Sequence, residues 1–340
     1  MSDAWSAPFE RLLADTCPSA VVRQIEAGGS PAALWTRIAE SGFLDALVPE
    51  AAGGAGLALA DAFTLFVAEG RHVLPVPLAH TMLVRAVLAR DGIAAPPGAI
   101  TIAAQTRWAV DGALSCPGTP CGLVADWVAV ERPAGWLLLP AAAAERQGSG
   151  VHGSLRANLH WPAPPATSLT SARPVAWSEC GAAIAAAQLA GAMERVLEMS
   201  VAFANQREQF GRSIGKFQAI QHQLAVLAEN VAAARMAAEI GCHSSGPTPL
   251  RLRTAVAKGR ASEAATLATS IAHAVHGAIG VTAELDLQLC TRRIHEWRAD
   301  FGSEQHWNRV LGSALLAASP ASTLDFMRAE LIPGNDEIQR

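Results

Sequence analysis

The 340-residue chain is long enough for two or three domains of the usual roughly 100–200 residues, with a sizeable core. It is 51% hydrophobic and 16% charged, and its formal net charge of -4 with no long basic run excludes the electrostatic footprint of a nucleic-acid binder. Alanine dominates the apolar residues, which favours closely packed helices over sheet.

From Trp5 to about Ala89 apolar residues recur at helical spacing: Phe9, Leu12 and Leu13, then Leu34 and Ile38, then Ala62, Leu65 and Phe66. Between two of these helices, Gly42 to Leu57 holds so much glycine and proline that it reads as a connector. Another short helix reaches Leu88, and Pro96-Pro97-Gly98 closes an N-terminal helical domain over 1–97. The next stretch, 98–174, changes to short β-like runs such as Ala99–Ala103, Trp127–Val130 and Gly135–Leu139, separated by turn residues. Trp108, Trp127, Trp136, Trp161 and Trp177 cluster in or beside it, as expected of a small β domain.

After Pro174 the chain reads as helix almost to its end. Stretches of about 179–206, 218–240, 249–275 and 283–297 carry apolar stripes, with Ile220, Leu224, Leu227 and Val231 a clear example. Four amphipathic helices with short connections predict a four-helix bundle over 175–320, followed by a loosely held tail over 321–340. The six cysteines, Cys17, Cys116, Cys121, Cys180, Cys242 and Cys290, form no Cys-x-x-Cys pair and are expected to be reduced thiols. No basic, apolar leader opens the chain and no uninterrupted apolar run reaches the ~18–20 residues of a membrane span. The expectation is a cytoplasmic protein with no membrane and no nucleic-acid partner.

One stretch stands out, Arg207-Glu208-Gln209-Phe210-Gly211, continued by Ile214, Phe217-Gln218 and Gln221-His222-Gln223-Leu224-Ala225. A polar, glycine-broken turn between two long helices offers a delocalised cation at Arg207 and free backbone N–H groups where the next helix begins. Those are the groups that hold a pyrophosphate. His273 and His276 share a helix face three residues apart, but the next imidazole, His295, belongs to a different helix, so a metal site is not assigned.

These residues resemble the Arg-x-x-Phe-Gly…Phe-Gln…Gln signature of acyl-CoA dehydrogenases. Val48-Pro49-Glu50-Ala51-Ala52-Gly53-Gly54 is similar to the family's Val-Pro-Glu-Glu-Tyr-Gly-Gly loop, and His276-Gly277-Ala278-Ile279-Gly280-Val281-Thr282 to its Gly-Gly-x-Gly segment. The order of the three matches, and the resemblance covers essentially the whole chain. It implies a mainly α fold, with N-terminal helices, a middle β-barrel and a C-terminal four-helix bundle. It also implies FAD, and the oxidation of an acyl-CoA thioester to its 2,3-enoyl product. By the same resemblance Arg207, Gln209, Phe210, Gln218, His273, His276 and Gly277 bind the cofactor, with Phe210 against the adenine, Gln218 on the ADP part and His273 at the pyrophosphate. In the family these contacts reach across a subunit interface to a neighbour's FAD.

Two departures stand beside this. The family's Thr-Glu-Pro-x-x-Gly-Ser-Asp-like flavin-ring segment is absent, and Ala103 to Gly112 occupies its place. Phe301 falls where the family's catalytic glutamate sits, and the alternative position on the first bundle helix falls near Gly181-Ala182. Glu179, Asp300 and Glu304 are the nearest carboxylates, all three expected at the surface, so no catalytic residue is assigned. The resulting expectation is one subunit of an α2β2 acyl-CoA dehydrogenase acting on a bulky, steroid-type acyl-CoA, whose partner supplies the base and cradles the flavin ring. A self-sufficient homotetramer and a purely structural or regulatory subunit remain as alternatives.

Overall fold

The computed structural model of the chain describes residues 3–244 and 246–332. By its contacts the chain divides into two compact units, one of Met1–Leu65, Leu74–Ile184 and Ser244–Thr248, the other of Phe66–Val73, Ala185–His243 and Pro249–Arg340.

The first unit opens with α1 (Asp3–Thr16), α2 (Ser19–Glu26) and α3 (Ala32–Glu40), and takes in the start of α4 (Leu59–Arg71) and all of α5 (Leu78–Arg90). Phe9, Leu13, Leu34 and Ile38, which the helical spacing singles out, are buried, as are Val22 and Ile25 of α2. The 42–57 connector is ordered by two single turns of 3-10 helix, Phe43–Asp45 and Glu50–Ala52. Asp45 is clamped from α5 by a bidentate Arg85, 2.6 and 2.9 Å away.

Eight strands follow: β1 (Ile100–Ile102), β2 (Arg107–Trp108), β3 (Leu114–Thr119), β4 (Trp127–Arg132), β5 (Gly135–Pro140), β6 (Glu145–Gly148), β7 (Ala157–Trp161) and β8 (Leu169–Ser171). They form two four-stranded sheets, ordered β1-β4-β5-β8 and β2-β3-β7-β6, and only the β1–β4 pair is parallel. The expected β domain is present, but as two open sheets rather than a closed barrel. One core serves both, with Val128, Val130, Leu137 and Leu139 from the first sheet beside Leu114, Leu159 and Trp161 from the second. Two buried tryptophans find acceptors, Trp136 on Asp91 at 3.2 Å and Trp161 on the Pro140 carbonyl at 3.1 Å, while the Nε1 of buried Trp177 finds none among the described residues.

The second unit is helical. Its elements are the larger part of α6 (Trp177–Gln206), the two-residue strands β9 (Glu208–Gln209) and β10 (Arg212–Ser213), then α7 (Gln218–Cys242), α8 (Arg251–His276), α9 (Leu287–Ala299), α10 (Glu304–Ala318) and α11 (Thr323–Glu330). The four expected helices are α6, α7, α8 and, from the 283–297 stretch, α9. A further helix of similar length to α9, α10, was not assigned from the sequence. Alanines carry α8 through the middle of the unit, and the approach is close enough that a Cβ on Gly241 of α7 would lie 2.4 Å from that of Ala257. Arg235 of α7 reaches Glu194 of α6 at 2.9 Å, and Asn308 of α10 reaches Glu263 of α8 at 2.7 Å. Residues 320–332 include α11, which buries Phe326, and the remainder of the expected tail, 333–340, lies outside the described residues. Among the described residues one helical stretch, Arg251–Val281, is long and apolar enough to cross a membrane, and half of its most apolar window is buried inside the protein, as in a core helix.

Candidate functional site

The Arg207 motif folds as a tight hairpin between α6 and α7. Gln209 pairs with Arg212 and Glu208 with Ser213, so the turn falls on Phe210 and Gly211, whose φ values are 52° and 78°. Two consecutive left-handed residues make the type I′ geometry that matches the twist of a two-stranded ribbon. Glycine takes that conformation freely; Phe210 is strained in it. The strained ring is also 91% exposed, with only an edge-on contact to Phe217 at 6.2 Å. Arg212 lies over the other aromatic, 4.2 Å from the Phe217 centroid. A single 3-10 turn, Ile214–Lys216, then leads into α7, and the Gln221 amide donates to the Gly215 carbonyl at 3.0 Å.

The hairpin forms one wall of a cavity of about 550 Å³ within the second unit. Arg207, Gln209 and Phe210 line it from the hairpin, Ile214, Phe217 and Ile220 from the turn and α7, and Phe203 from α6. The opposite wall is the end of α8 and the following turn, Ala274 to Ile279, which brings in His276 and Gly277. Five of the seven residues expected at a cofactor site therefore meet at one cavity. Gln218, exposed at the start of α7, and His273, half-buried one turn before His276, do not line it. The Arg207 guanidinium makes no hydrogen bond or ion pair among the described residues. The Nδ1 of His273 is buried with no partner, beside Gly280, where a Cβ would lie 3.3 Å from it. His276 is buried, donates from Nδ1 to the Ala272 carbonyl at 2.8 Å and lies against Phe203, ring centroids 4.5 Å apart. Burial pulls its pKa below the ordinary histidine value, with nearby His273 adding to the effect, so the ring is neutral at pH 7. Phe203 was not anticipated from the sequence; its signal is its place on the apolar face of α6 one turn before Arg207. Among the described residues no group of three or more His, Cys, Asp or Glu side chains could hold a metal ion.

The turn between α9 and α10, where Phe301 stands, is sealed. Phe301 is buried with φ 54°, its carbonyl accepts from Trp307 Nε1 at 3.0 Å, and Gly302 follows at φ 99°. Beneath it lies Lys258 of α8, fully buried, whose Nζ donates to Ser262 Oγ at 3.0 Å and to the carbonyls of Arg298 and Gly302, each at 2.8 Å. Asp300 is buried at 3% exposure rather than at the surface as expected, because it sits in the field of this lysine. Glu304 is ion-paired with Arg298. Glu179 is half-buried beside a second cavity of about 360 Å³ in the first unit, lined by Ala103 to Thr106, Trp108, Glu131, Trp177 and Ser178 among others. There the Glu131 carboxyl is pushed up by partial burial and by the charge of Glu179. The cysteines form no disulfide; burial pushes Cys17 and Cys116 up to about 12, which makes them inert.

Residues 180–315 match the model of the acyl-CoA dehydrogenase C-terminal domain, and residues 5–95 that of the acyl-CoA dehydrogenase N-terminal domain. The chain belongs to the acyl-CoA dehydrogenase family. The acyl-CoA dehydrogenase IpdE2 of Mycobacterium tuberculosis is 30% identical over 319 residues, covering 89% of this chain and 88% of the relative. Among solved structures, the ChsE4-ChsE5 complex from Mycobacterium tuberculosis superposes with a TM-score of 0.79 at 21% identity, over 94% of this chain and 98% of that one. The Tcur3481-Tcur3483 steroid ACAD does so with a TM-score of 0.79 at 24% identity, over 94% and 99%. At those identities the two structures establish the fold, which is the family's arrangement of N-terminal helices, middle sheets and C-terminal helices. The family is one of oxidoreductases, and its cofactor is FAD.

The residues of the 550 Å³ cavity fit the ADP half of that cofactor. An unpaired guanidinium suits a pyrophosphate, and aromatic and branched apolar walls suit a flat base. The fit to the flavin ring is poorer, since from Ala103 to Trp108 the second cavity is lined by Ala103, Ala104, Gln105, Thr106 and Trp108, a single hydroxyl and no glycine where the family carries its hydroxyl- and glycine-rich segment.

Proposed function

We propose that this chain is one subunit of a hetero-oligomeric, cytoplasmic, FAD-dependent acyl-CoA dehydrogenase that oxidises a bulky, steroid-type acyl-CoA. The observation that carries the reading is the contrast between its two loops. The hairpin at Arg207 is open and presents a strained, exposed Phe210, while the turn at Phe301 is closed over a buried lysine and offers no free carboxylate. Abstraction of an α-proton needs a carboxylate within hydrogen-bond reach of the carbon, so the base belongs to a homologous partner. The heteromeric composition of the ChsE4-ChsE5 and Tcur3481-Tcur3483 structures, and the naming of the latter as a steroid ACAD, support the α2β2 assembly and the substrate class.

In that assembly FAD, when bound, would supply the acceptor for the hydride lost by the acyl chain. This chain's own residues bind and orient. Arg207 neutralises the pyrophosphate, Phe210 covers the adenine, Gln209 and the backbone at Gly277 line the nucleotide cavity, and Gln218 and His273 support its edge. Expression with and without a homologous partner subunit tests this. The pair is expected to carry FAD and to oxidise an acyl-CoA, and Arg207→Ala to lose most of the flavin. A lone chain that purifies yellow as a homotetramer and reduces a dye with acyl-CoA would overturn the proposal.

A further inference from the structure

The cavity has two polar poles of opposite kind. Arg207 offers donors only, since a guanidinium has no acceptor. The opposite wall offers His276, and its chemistry is fixed by its neighbours. Nδ1 lies 2.8 Å from the Ala272 carbonyl, an atom with lone pairs and no hydrogen, so Nδ1 carries the proton. A ring flip would turn a carbon toward that carbonyl and forfeit the bond, and Phe203 packs against the ring at 33° between planes. With the ring neutral, the second nitrogen, Nε2, is an acceptor and nothing else. No protein donor reaches it among the described residues. The following turn is packed tightly against this histidine, since a Cβ on Gly280 would lie 3.0 Å from the His276 Cβ.

We infer that His276 selects the nucleotide half of the cofactor by accepting, at Nε2, a hydrogen bond from a donor on the adenosine, either the exocyclic amine of the base or a ribose hydroxyl. The inference rests on the proposed nucleotide role of this cavity and deepens it. A cavity of about 550 Å³ falls within the roughly 300–1,000 Å³ of small-molecule sites. A ligand anionic at one end and bearing N–H or O–H donors at the other satisfies both poles, and an adenine nucleotide is such a ligand. A protonated histidine would instead have duplicated the charge of Arg207 and recognised only phosphate.

The test is calorimetric titration of the flavin-stripped complex with ADP, with IDP, which replaces the exocyclic amine by a carbonyl, and with 2′-deoxy- and 3′-deoxy-ADP. Wild-type protein is expected to bind ADP and to bind one of the three analogues about tenfold more weakly, the usual consequence of a lost hydrogen bond that leaves a buried acceptor unmet. His276→Phe, which keeps a flat ring and deletes the acceptor, is expected to lower ADP binding by the same factor and to abolish the discrimination. His276→Gln, which restores an acceptor oxygen, recovers part of it and serves if the phenylalanine variant does not fold. Equal binding of all four nucleotides by wild type, or ADP binding undiminished in His276→Phe, overturns the inference and leaves the nucleotide site standing. If wild type binds no nucleotide and Arg207→Ala matches it, the underlying assignment of the cavity fails and the inference with it.

Discussion

Lys258 gives the sharpest test of how the turn at Phe301 is held. Its ammonium is fully buried and meets three acceptors, two of them carbonyls that flank the α9–α10 turn. Burial pulls its pKa down to about 7, and Asp300 and Glu304 oppose that pull by stabilising the charge. Replacing it by methionine keeps most of the volume and removes the charge. The Arg298 and Gly302 carbonyls then lose a buried donor, which costs about 1–3 kcal/mol for each group left unmet. Asp300, 3% exposed, loses the charge of Lys258, whose field it shares, and breaking a buried pair from one side costs about 3–5 kcal/mol. These terms overlap, so Lys258→Met is expected to destabilise by about 4 kcal/mol, a fall in thermal midpoint on the order of 10 °C for a unit of this size. Thermal unfolding followed by circular dichroism reads this directly. Adding Asp300→Asn to the methionine variant removes the buried carboxylate and is expected to recover part of the loss, as a double-mutant cycle would report. A methionine variant within about 1 kcal/mol of wild type would refute the idea that this lysine pins the turn.

Three further outcomes follow from the packing. His80, buried between α5 and β1 with Nδ1 3.2 Å from Thr101 Oγ1, has its pKa lowered from 6.5 to about 4 by burial, so the unfolded chain binds the extra proton between those values. Its contribution is whole above pH 6.5 and is lost as pH falls toward 4, by about 3 kcal/mol; urea midpoints should fall over that window more steeply in wild type than in His80→Gln, and parallel slopes would count against the assignment. Gly191 of α6 meets α4 backbone to backbone, where a Cβ would come 1.9 Å from the Val67 carbonyl oxygen. Gly191→Ala should therefore cost at least the ~1–3 kcal/mol of an overpacked core, seen as a lower denaturation midpoint. Phe210→Gly relieves a left-handed phenylalanine and should stabilise the lone chain by about 1 kcal/mol while lowering flavin retention in the assembly; a variant that loses stability by chemical denaturation would show that the ring serves this chain's own fold.

How much of this was legible in the sequence depends on how local the cause is. α7 was readable because it buries one stripe, Leu227, Val231, Ala234 and Ala238, at a spacing the chain itself encodes, whereas α6 and α8 are buried on most sides and were readable from their length and alanine content. The hairpin was readable because Phe210-Gly211 between polar residues is a turn in its own right. The β domain was read correctly as short strands, but closure into a barrel or division into two sheets is decided by which edges meet, and β1 pairs in parallel with β4 across two intervening strands. α10 was missed although Trp307, Leu311 and Leu315 recur four apart, and of its residues only Trp307 is buried within this chain. Asp300 was expected at the surface, where an aspartate two residues from an arginine, Arg298, ordinarily lies. Its partner Lys258 lies on another helix, and a lysine between alanine and glycine advertises no buried role.

The energetics of the two loops differ in sign, and that difference bears on why a chain would keep one and alter the other. At the turn around Phe301 every cost is met internally. The left-handed phenylalanine is buried, its carbonyl is bonded to Trp307, and the lysine beneath it has three acceptors and a carboxylate. At the hairpin the costs are left standing. Holding Phe210 left-handed costs about 1–2 kcal/mol, and its ring returns almost none of the burial that would offset this, because 91% of it faces solvent. A glycine-glycine turn would close the same hairpin without strain. An exposed aromatic on a rigid, strained tip and a guanidinium with no partner among the described residues gain nothing for an isolated chain. Both become favourable once a nucleotide and a neighbouring surface cover them, which is the condition the proposed assembly supplies.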